Sequence, residues 1–551
     1  MKHKYLAIPI SVLLLAMAPP SLFSRTGMVA SDHELASQVG AEVLARGGNA
    51  VDAVIATTLA AGVVQPAGSG LGGGGFALVQ EGHEPAFVLD FRERAPAAST
   101  REMYINHPRA NASRFGGLAV AIPNEANGLL ALHAKYGTKS LKELAKPAVR
   151  LTKGFPVGAY LYKALGKLTD REEAFLQDYW GVQIRPQRAE TVQNIRLGKS
   201  LKSWAKTGGR ALTSGWIAQD LVNTVQKDGG ILTLADLETV QPKERKPLSA
   251  EYRGWTIYTM PPPSSGGVVL LQMLSVLEGY DLKQYGHNSA ELIHLYAETS
   301  QHAFADRANH LGDPDRIAVP IDEMLAPQRI EAIRSAYQKE KTLDSKAYGT
   351  KLDIGKDEGT QHISVIDQNG LSVSLTSTLN TYFGAGVVGE RSGIILNNEM
   401  DDFVAEPGKP NFYGLLGSEA NSVAPGAVPL SSMTPTILIS PDGTKRISIG
   451  ASGGPFIISS TLQVILNIID FELEPSEAVS VPRVHHQWMP RNIFVDKEIS
   501  IDTRDKLQEK GHALKPMPLD ASVQLIYCTE EHCLGASDPR KGGNPSSPEH
   551  L

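Results

Sequence analysis

The segment that decides the fold reads SAYQKEKTLDSKAYGTKLDIGKDEG (335–359), followed by TQHISVIDQNGLSVSLTSTLN (360–380). The first part is polar and charged and has no apolar stripe, a composition typical of an exposed linker. The second part is rich in β-branched residues on both sides of Gln368–Gly370, a turn signal that predicts a β-hairpin. Thr360 therefore stands where a linker meets a strand.

Such a junction is required if Thr360 is to become a chain N-terminus by cleaving the peptide bond that joins it to Gly359. Its hydroxyl would attack the carbonyl of Gly359, and water would then release the resulting ester. The freed α-amine, with a pKa of about 7.7–8.0, can act as general base for the hydroxyl of the same residue. Junctions of a linker with a strand that begins with Thr are common, so the pattern alone does not decide the chemistry.

Helix and strand signals alternate along the rest of the chain. Ser31–Glu34 matches a capping box, and the apolar repeat after it predicts a helix that stops at Gly47-Gly48. A second helix is predicted at 50–64. Further helices are predicted at 127–136, 141–153, 268–278, 288–309 and 457–470, and further strands at 76–79, 86–91, 436–439 and 446–449. Interspersed strands, helices and hairpins predict sheets covered by helices.

Composition excludes several classes of protein. The 551 residues include 53 Lys+Arg and 59 Asp+Glu, a net charge of −6, without a long basic run, so no nucleic-acid partner is expected. Two cysteines, Cys528 and Cys533, cannot build a disulfide scaffold or a four-thiolate metal site. A bridge across a hairpin and two free buried thiols both remain open for this pair.

The first residues predict the compartment. Lys2 and Lys4 precede the apolar stretch 5–18, which is shorter than the ~20 residues that a membrane-spanning helix needs. We therefore expect residues 1–24 to be a signal peptide and the protein to be secreted, in the periplasm. An uncleaved anchor is the alternative.

One motif favours a different chemistry. Gly450-Ala451-Ser452-Gly453-Gly454 matches the G-x-S-x-G nucleophile elbow, with a strand before it and a helix after it. Asp470 or Asp496 and then His512 would complete a triad, but no HGGG-type oxyanion loop lies upstream. A serine hydrolase with Ser452 as nucleophile therefore stays open, and backbone N–H groups at this helix start would suit an oxyanion in either case. The chain has no H-E-x-x-H and no paired C-x-x-C, so no metal site is expected.

Several longer motifs are more specific than these patterns. They are GMVASDHELASQVGAEVLARGGNAVDAV (27–54), GLGGGGF (70–76), LDFRERAP (89–96), MPPPSSGG (260–267), ADRANHLGDPD (305–315), TQHISVID (360–367), TSTLN (376–380), NNEMDDF (397–403), PLSSMTPT (429–436), GASGG (450–454) and PRVHHQW (482–488). On these motifs the sequence resembles the γ-glutamyltransferases (glutathione hydrolases), self-processing members of the N-terminal-nucleophile hydrolase superfamily. The resemblance runs from about Gly27 to near Pro539.

The resemblance implies an α+β fold, a four-layer αββα sandwich built from two autoprocessed subunits. Cleavage before Thr360 would give a large subunit, 25–359, and a small subunit, 360–551, that stay together as a heterodimer. Thr360 would be the nucleophile, Thr378 would orient it, and Gly453 and Gly454 would form the oxyanion hole. Neither a metal nor an organic cofactor is implied.

The resemblance also implies a binding set for a γ-glutamyl head group, which is a zwitterion. Arg92 would hold the α-carboxylate in a fork, with hydroxyls from Ser431 and Ser432. The acceptors for the α-ammonium would be Asn380, Glu399 and Asp402. Without the resemblance, a surface ion pair for Arg92 and a solvated turn at Asp401-Asp402 would be preferred.

The implied activity is the cleavage of γ-glutamyl amides such as glutathione through a γ-glutamyl-Thr ester. The acyl group would then pass to water, or to amino-acid or peptide acceptors. The alternative within the same machinery is a cephalosporin (glutaryl) acylase that uses Thr360. A glutaryl group lacks the ammonium, so an intact amino-binding set argues against that alternative.

Overall fold

The structure is a computed structural model that describes residues 20–82, 84–105, 107–109, 111–168, 172–348, 359–404 and 418–551. The first 19 residues of the predicted signal peptide and residues 349–358 of the predicted linker lie outside this range. Among the described residues, no helix is both long enough and apolar enough to cross a membrane.

The strands build two large antiparallel sheets and two small ones. In chain order they are β1 (Leu22–Ser24), β2 (Gly27–Ser31), β3 (Gly74–Gln80), β4 (Phe87–Phe91), β5 (Phe155–Pro156), β6 (Thr191–Val192), β7 (Lys243–Arg245), β8 (Leu248–Tyr252), β9 (Trp255–Thr259), β10 (Thr360–Asp367), β11 (Ser372–Thr378), β12 (Thr436–Ile439), β13 (Arg446–Ser452), β14 (Val484–His485), β15 (Ile493–Val495), β16 (Leu514–Pro516), β17 (Ser522–Cys528) and β18 (Cys533–Ser537). One large sheet has the order β2-β10-β11-β3-β4-β7, and the other has the order β1-β18-β17-β13-β12-β9-β8.

The helices of the described residues cover the outer faces of both sheets. They are α1 (Glu34–Ala45), α2 (Ala50–Val64), α3 (Glu125–Tyr136), α4 (Leu141–Leu151), α5 (Ala159–Leu165), α6 (Glu172–Trp180), α7 (Ile195–Thr207), α8 (Arg210–Thr213), α9 (Trp216–Lys227), α10 (Leu234–Thr239), α11 (Gly266–Leu277), α12 (Leu282–Tyr285), α13 (Ala290–His310), α14 (Ile321–Met324), α15 (Pro327–Ala336), α16 (Phe456–Ile469), α17 (Pro475–Ser480) and α18 (Ile501–Glu509). The predicted helices and strands are all present, with ends shifted by a few residues.

Side chains along the central strands alternate between the two faces of the sheet, and this alternation explains how the sheets and helices are layered. Ile363 and Val365 of β10 face α2 and belong to one apolar core, whereas α11, α13 and α16 build a second core on the seven-stranded sheet. The residues between them face the other sheet: the hydroxyl of Ser364 donates to the carbonyl of Gln524 at 3.2 Å, and that of Ser374 to Ile449 at 2.9 Å. The two sheets therefore stack face to face between helical layers. The prediction of a four-layer αββα sandwich is confirmed.

The capping box predicted at Ser31–Glu34 is wrong. Helix α1 begins after His33, whose Nδ1 accepts from the N–H of Leu35 at 3.2 Å. Ser31 is the last residue of β2, and its hydroxyl is used in hydrogen bonds with Ser37 and with the carbonyl of His33. Strand pairing therefore takes precedence over the local capping pattern.

The described residues of the predicted linker, 335–348, are mostly exposed, but Tyr348 is buried and donates to Glu298. Residues Leu22–Ser24, the end of the predicted signal peptide, form β1 and pair with β18.

Cys528 and Cys533, opposite each other in β17 and β18, form a disulfide, which settles the choice left open by the sequence.

Candidate active site

The hairpin of β10 and β11 places two threonines side by side. Thr360 pairs directly with Thr378 in the antiparallel ladder, so both side chains lie on the same face of the sheet. Thr378 Oγ1 lies 2.8 Å from the carbonyl oxygen of Gly359 and donates to it. The two threonine hydroxyl oxygens are 3.3 Å apart. Because the proton of Thr378 is used on Gly359, the Thr360 hydroxyl is the donor between them.

A glycine-rich turn supports this pair from behind. A Cβ on Gly73 would overlap the carbonyl oxygen of Thr378, and a Cβ on Gly72 would overlap that of Ile395. The stretch at 68–75 is therefore a place where backbone approaches backbone too closely for a side chain.

A pocket of about 310 Å³ opens in front of the two threonines. The residues that line it are Arg92, Thr360, Thr378, Asn380, Glu399, Asp402, Leu430, Ser431, Ser432, Met433, Gly454, Pro455 and Ile457. Nine of the ten residues singled out from the sequence are thus brought together, and Gly453 directly precedes the lining residue Gly454.

Arg92 is the cation of the pocket and is buried. Its guanidinium forms ion pairs with Glu399 and, at 2.6 Å, with Asp402. Burial on its own lowers the pKa of Arg92, but the charges of Glu399, Asp402 and Glu93 outweigh it and raise that pKa. The alternative of a surface ion pair is therefore excluded, and Asp402 is buried rather than part of a solvated turn.

Three carboxyl groups crowd around this one arginine. Burial raises the pKa of Glu399 well above its ordinary value, and the charges of Glu93 and Asp402 add to the rise. Burial likewise raises the pKa of Asp402, and it raises that of Glu93 to about 8. The charges of Arg92 and Arg307 oppose the rise at Asp402. A bound ammonium group would act in the same direction, because a nearby positive charge favours the charged form of a carboxyl group.

Hydroxyl and amide groups complete the pocket. Ser432 Oγ is buried and, among the described residues, has no hydrogen-bond partner, so it can donate to a bound carboxylate. Ser431 Oγ accepts from the N–H of Met433 at 3.0 Å. Asn380 lies in the left-handed region, with φ of 75°, and its side-chain amide donates to Asn398 at 3.0 Å.

The stretch at 450–454 has the elbow geometry but a different role for its serine. β13 ends at Ser452, and Gly453 and Gly454 have φ of 128° and 49° before α16. Ser452 is fully buried, does not line the pocket, and donates to Asp32 at 2.7 Å. The Ser452 hydrolase hypothesis therefore has no structural support, because its nucleophile cannot reach the pocket.

Sequence reasoning missed two kinds of site residue. The apolar lining residues (Leu430, Met433, Pro455, Ile457) stand next to recognised ones and could have been inferred from adjacency. Lys541, which donates to the carbonyl of Thr360 at 3.0 Å, lies 181 residues away and belongs to no motif.

Away from the pocket, the described residues include one group of side chains of the kinds that bind metal ions. His294, Glu298 and His512 have ligand atoms within 4.8 Å of one another. Their atoms are used in hydrogen bonds: His294 Nδ1 and His512 Nε2 are 2.7 Å apart, and Glu298 accepts from Thr342 and Tyr348. The cluster is built as a polar network between α13 and the segment before residue 348.

Two stacked antiparallel sheets between helical layers, with a threonine at the first residue of a central strand, define an N-terminal-nucleophile hydrolase. The model of the family described as gamma-glutamyltranspeptidase matches residues 36–547. The chain belongs to the γ-glutamyltranspeptidase family.

Individual proteins agree with this assignment. The glutathione hydrolase proenzyme of Escherichia coli (strain K12) is 39% identical over 527 residues, 94% of this chain and 91% of that protein. The crystal structure of cephalosporin acylase from Bacillus halodurans has a TM-score of 0.86 at 25% identity, covering 98% of this chain and 99% of that one. The Helicobacter pylori γ-glutamyltranspeptidase has a TM-score of 0.55 at 32% identity, covering 60% of this chain and 95% of that one.

Proposed function

We propose that this protein is a self-cleaving γ-glutamyltransferase and glutathione hydrolase in which Thr360 is the nucleophile. It cleaves γ-glutamyl amides such as glutathione and passes the acyl group to water or to amino-acid and peptide acceptors. The observation that carries the proposal is the shared pocket: Thr360 and a buried arginine among three acids face the same space of about 310 Å³.

The first reaction is on the chain itself. Thr360 Oγ1 loses its proton and attacks the carbonyl carbon of Gly359. The C–N bond breaks, the leaving nitrogen takes up a proton, and the acyl group is then held on oxygen as an ester. Thr378 donates to the oxygen that becomes negative in this step, at 2.8 Å. Water then hydrolyses the ester, which leaves a carboxylate on Gly359 and a free α-amine on Thr360.

The second reaction uses the new N-terminus. The α-amine takes the proton of Thr360 Oγ1 as that oxygen attacks the γ-carbonyl carbon of the substrate. The leaving amine takes a proton, and the γ-glutamyl ester remains until water or an acceptor amine attacks it. We assign the oxyanion to the backbone N–H groups of Gly453 and Gly454, which lie between β13 and α16.

Recognition of the γ-glutamyl head proceeds by exchange of ion pairs. In the structure Arg92 is paired with Glu399 and Asp402. The α-carboxylate of the substrate binds Arg92 and the hydroxyls of Ser431 and Ser432. Glu399 and Asp402 then turn to the α-ammonium, together with Asn380, so no buried charge is left without a partner.

The second candidate is a glutaryl acylase, favoured by the likeness to the cephalosporin acylase over nearly the whole chain. Two p-nitroanilides separate the candidates, one with a γ-glutamyl group and one with a glutaryl group. We expect the γ-glutamyl compound to be turned over at least 100-fold more efficiently and Thr360→Ala to abolish this. Preference for the glutaryl compound, or full activity of Thr360→Ala, would refute the proposal.

The same proposal includes processing and export. Residues 25–359 and 360–551 form the large and small subunits of a heterodimer; the solved H. pylori chain covers 60% of this chain, about the share that 25–359 occupies. The protein is secreted into the periplasm after loss of its signal peptide. Because Leu22–Ser24 pair with β18, we place the signal cleavage before Leu22, so that the large subunit includes these three residues in addition to 25–359.

A further inference from the structure

Lys541 is a buried ammonium group next to the backbone of Thr360. Its Nζ donates to the Thr360 carbonyl at 3.0 Å and to Ser452 Oγ at 2.6 Å, and the residue is 6% exposed. A buried charge is costly unless it is paired and hydrogen-bonded. The charge of Lys541 is compensated by these two acceptors, by Asp32 at 3.7 Å and by the ring of Tyr160 at 5.0 Å.

A chain of hydrogen bonds fixes the lysine from behind. Ser452 Oγ accepts from Lys541 and donates to Asp32 Oδ2 at 2.7 Å, and Gln524 donates to Asp32 Oδ1 at 2.6 Å. Burial raises the pKa of Asp32, and the charge of Lys541 opposes that rise. Asp32 lies just after β2, Ser452 at the end of β13 and Lys541 after β18, so this network joins three distant segments at one point.

The geometry of the sheet shows why a donor is needed there. β11 pairs with β10 from Thr360 onward, but β2 pairs with it only from Ile363 to Asp367. The first residues of β10 therefore lack the second neighbouring strand. Lys541 supplies a hydrogen-bond donor at this end of the strand, where β2 has turned away towards Asp32.

We propose that Lys541 is a positioning residue for Thr360, held in place by Ser452 and Asp32. It fixes the peptide group of Thr360 and so aims Oγ1 at the pocket, first towards Gly359 and then towards the substrate. Ser452, the serine of the elbow-like motif, thereby serves the threonine nucleophile and is not itself one. This inference rests on the proposed role of Thr360 as nucleophile.

A misplacement of about 1 Å in reacting groups can cost about 100-fold in rate. In cleaved and folded Lys541→Met we expect kcat for γ-glutamyl-p-nitroanilide to fall at least 10-fold, with KM within threefold of the wild type. Lys541→Arg, which keeps the charge and its donors, should restore kcat to within threefold. Lys227→Met, which removes an exposed lysine, is the matched control and should leave both constants unchanged.

A wild-type kcat in Lys541→Met would overturn the inference. A lower kcat together with a raised KM, neither of which Lys541→Arg restores, would also overturn it. If Lys541→Met does not fold, as judged by thermal unfolding, Ser452→Ala decides. We expect that variant to fold and to lose at least fivefold in kcat at unchanged KM, and an unchanged kcat would overturn the inference. Activity in Thr360→Ala would instead refute the proposed function, so the two failures are distinguishable.

Discussion

At the scale of single residues, Arg92 makes the sharpest prediction about binding. Arg92→Lys keeps the buried charge among Glu399, Asp402 and Glu93 but loses the planar fork that suits a carboxylate. Losing one charge-assisted hydrogen bond costs about 1.5–3 kcal/mol, so KM for a γ-glutamyl substrate should rise about 10- to 100-fold. Steady-state kinetics measure this, with kcat expected within threefold of the wild type. Arg46→Lys, at an exposed position, is the control, and an unchanged KM in Arg92→Lys would contradict the binding role.

Thr378 makes the corresponding prediction about self-cleavage. Its hydroxyl donates to the Gly359 carbonyl, and removal of a comparable oxyanion donor costs about 100- to 1,000-fold in other enzymes. Thr378→Val should therefore cleave at least 100-fold more slowly, in a time course followed by denaturing gel. Thr378→Ser keeps the hydroxyl and should process within a few-fold of the wild-type rate. Equal rates for valine and wild type would exclude the proposed role.

The residue scale also shows how far the sequence could predict the site. Family motifs predict that Thr360, Arg92 and Asp402 share one pocket, whereas local spacing cannot connect residues that are up to 310 positions apart. Lys541 was missed for the same reason, because no motif surrounds it. The ion pair between Arg92 and Glu399 is not predicted either. The resemblance assigns Arg92 to the α-carboxylate of the substrate and Glu399 to its α-ammonium, and so does not pair the two with each other.

At the scale of elements, the hairpin register decides whether the two threonines meet. A two-residue Asn369-Gly370 turn would pair Thr360 with Leu379 and put Thr378 on the other face of the sheet. The loop has three residues, Gln368–Gly370, with Gly370 at φ of 80°, and pairs Thr360 with Thr378. The existence of the hairpin could be predicted from its sequence, whereas this register depends on how the turn closes.

The glycine-rich turn gives a prediction at the same scale. In Gly73→Ala the new Cβ would overlap the Thr378 carbonyl oxygen, so β11 must shift or the turn must open. Overpacking of this kind costs about 1–3 kcal/mol, and the shift moves Thr378 away from Gly359. We expect a lower urea midpoint and slower self-cleavage. In Gly158→Ala, where the nearest atom is 3.9 Å from the new Cβ, both should stay near wild type; equal behaviour of the two variants would refute the packing argument.

At the scale of the whole molecule, a buried acid predicts how stability depends on pH. Glu125 lies under β11 and accepts from Ser377, and burial raises its pKa from 4.5 to about 7. Between these values the folded chain holds a proton that the unfolded chain has lost, so this contribution to stability falls as the pH rises from about 4.5 to 7. The fall is about 3 kcal/mol.

Glu125→Gln should remove that pH dependence. Urea unfolding at pH 4.5 and pH 7.5 would show the wild type losing free energy of unfolding relative to the variant as the pH rises. Glu244→Gln, at an exposed glutamate, should follow the wild type. If Glu125→Gln has the same pH dependence as the wild type, Glu125 does not hold a proton in the folded protein.

The four-layer architecture follows from the alternation of apolar and small polar residues in β10 and β11, which gives each strand one face for helices and one for the other sheet. The strand order could not be predicted, because β1 and β18 come from opposite ends of the chain and pair through long-range contacts. The bond between Gly359 and Thr360 lies at the start of β10, and Thr360 lines the pocket.

The most direct test of the account is N-terminal sequencing of the purified wild-type protein after a denaturing gel. We predict two fragments, of which the smaller begins Thr-Gln-His-Ile at Thr360, and a single uncut chain for Thr360→Ala. An active wild-type preparation that remains one chain, or a small fragment that begins at any other residue, would contradict the account.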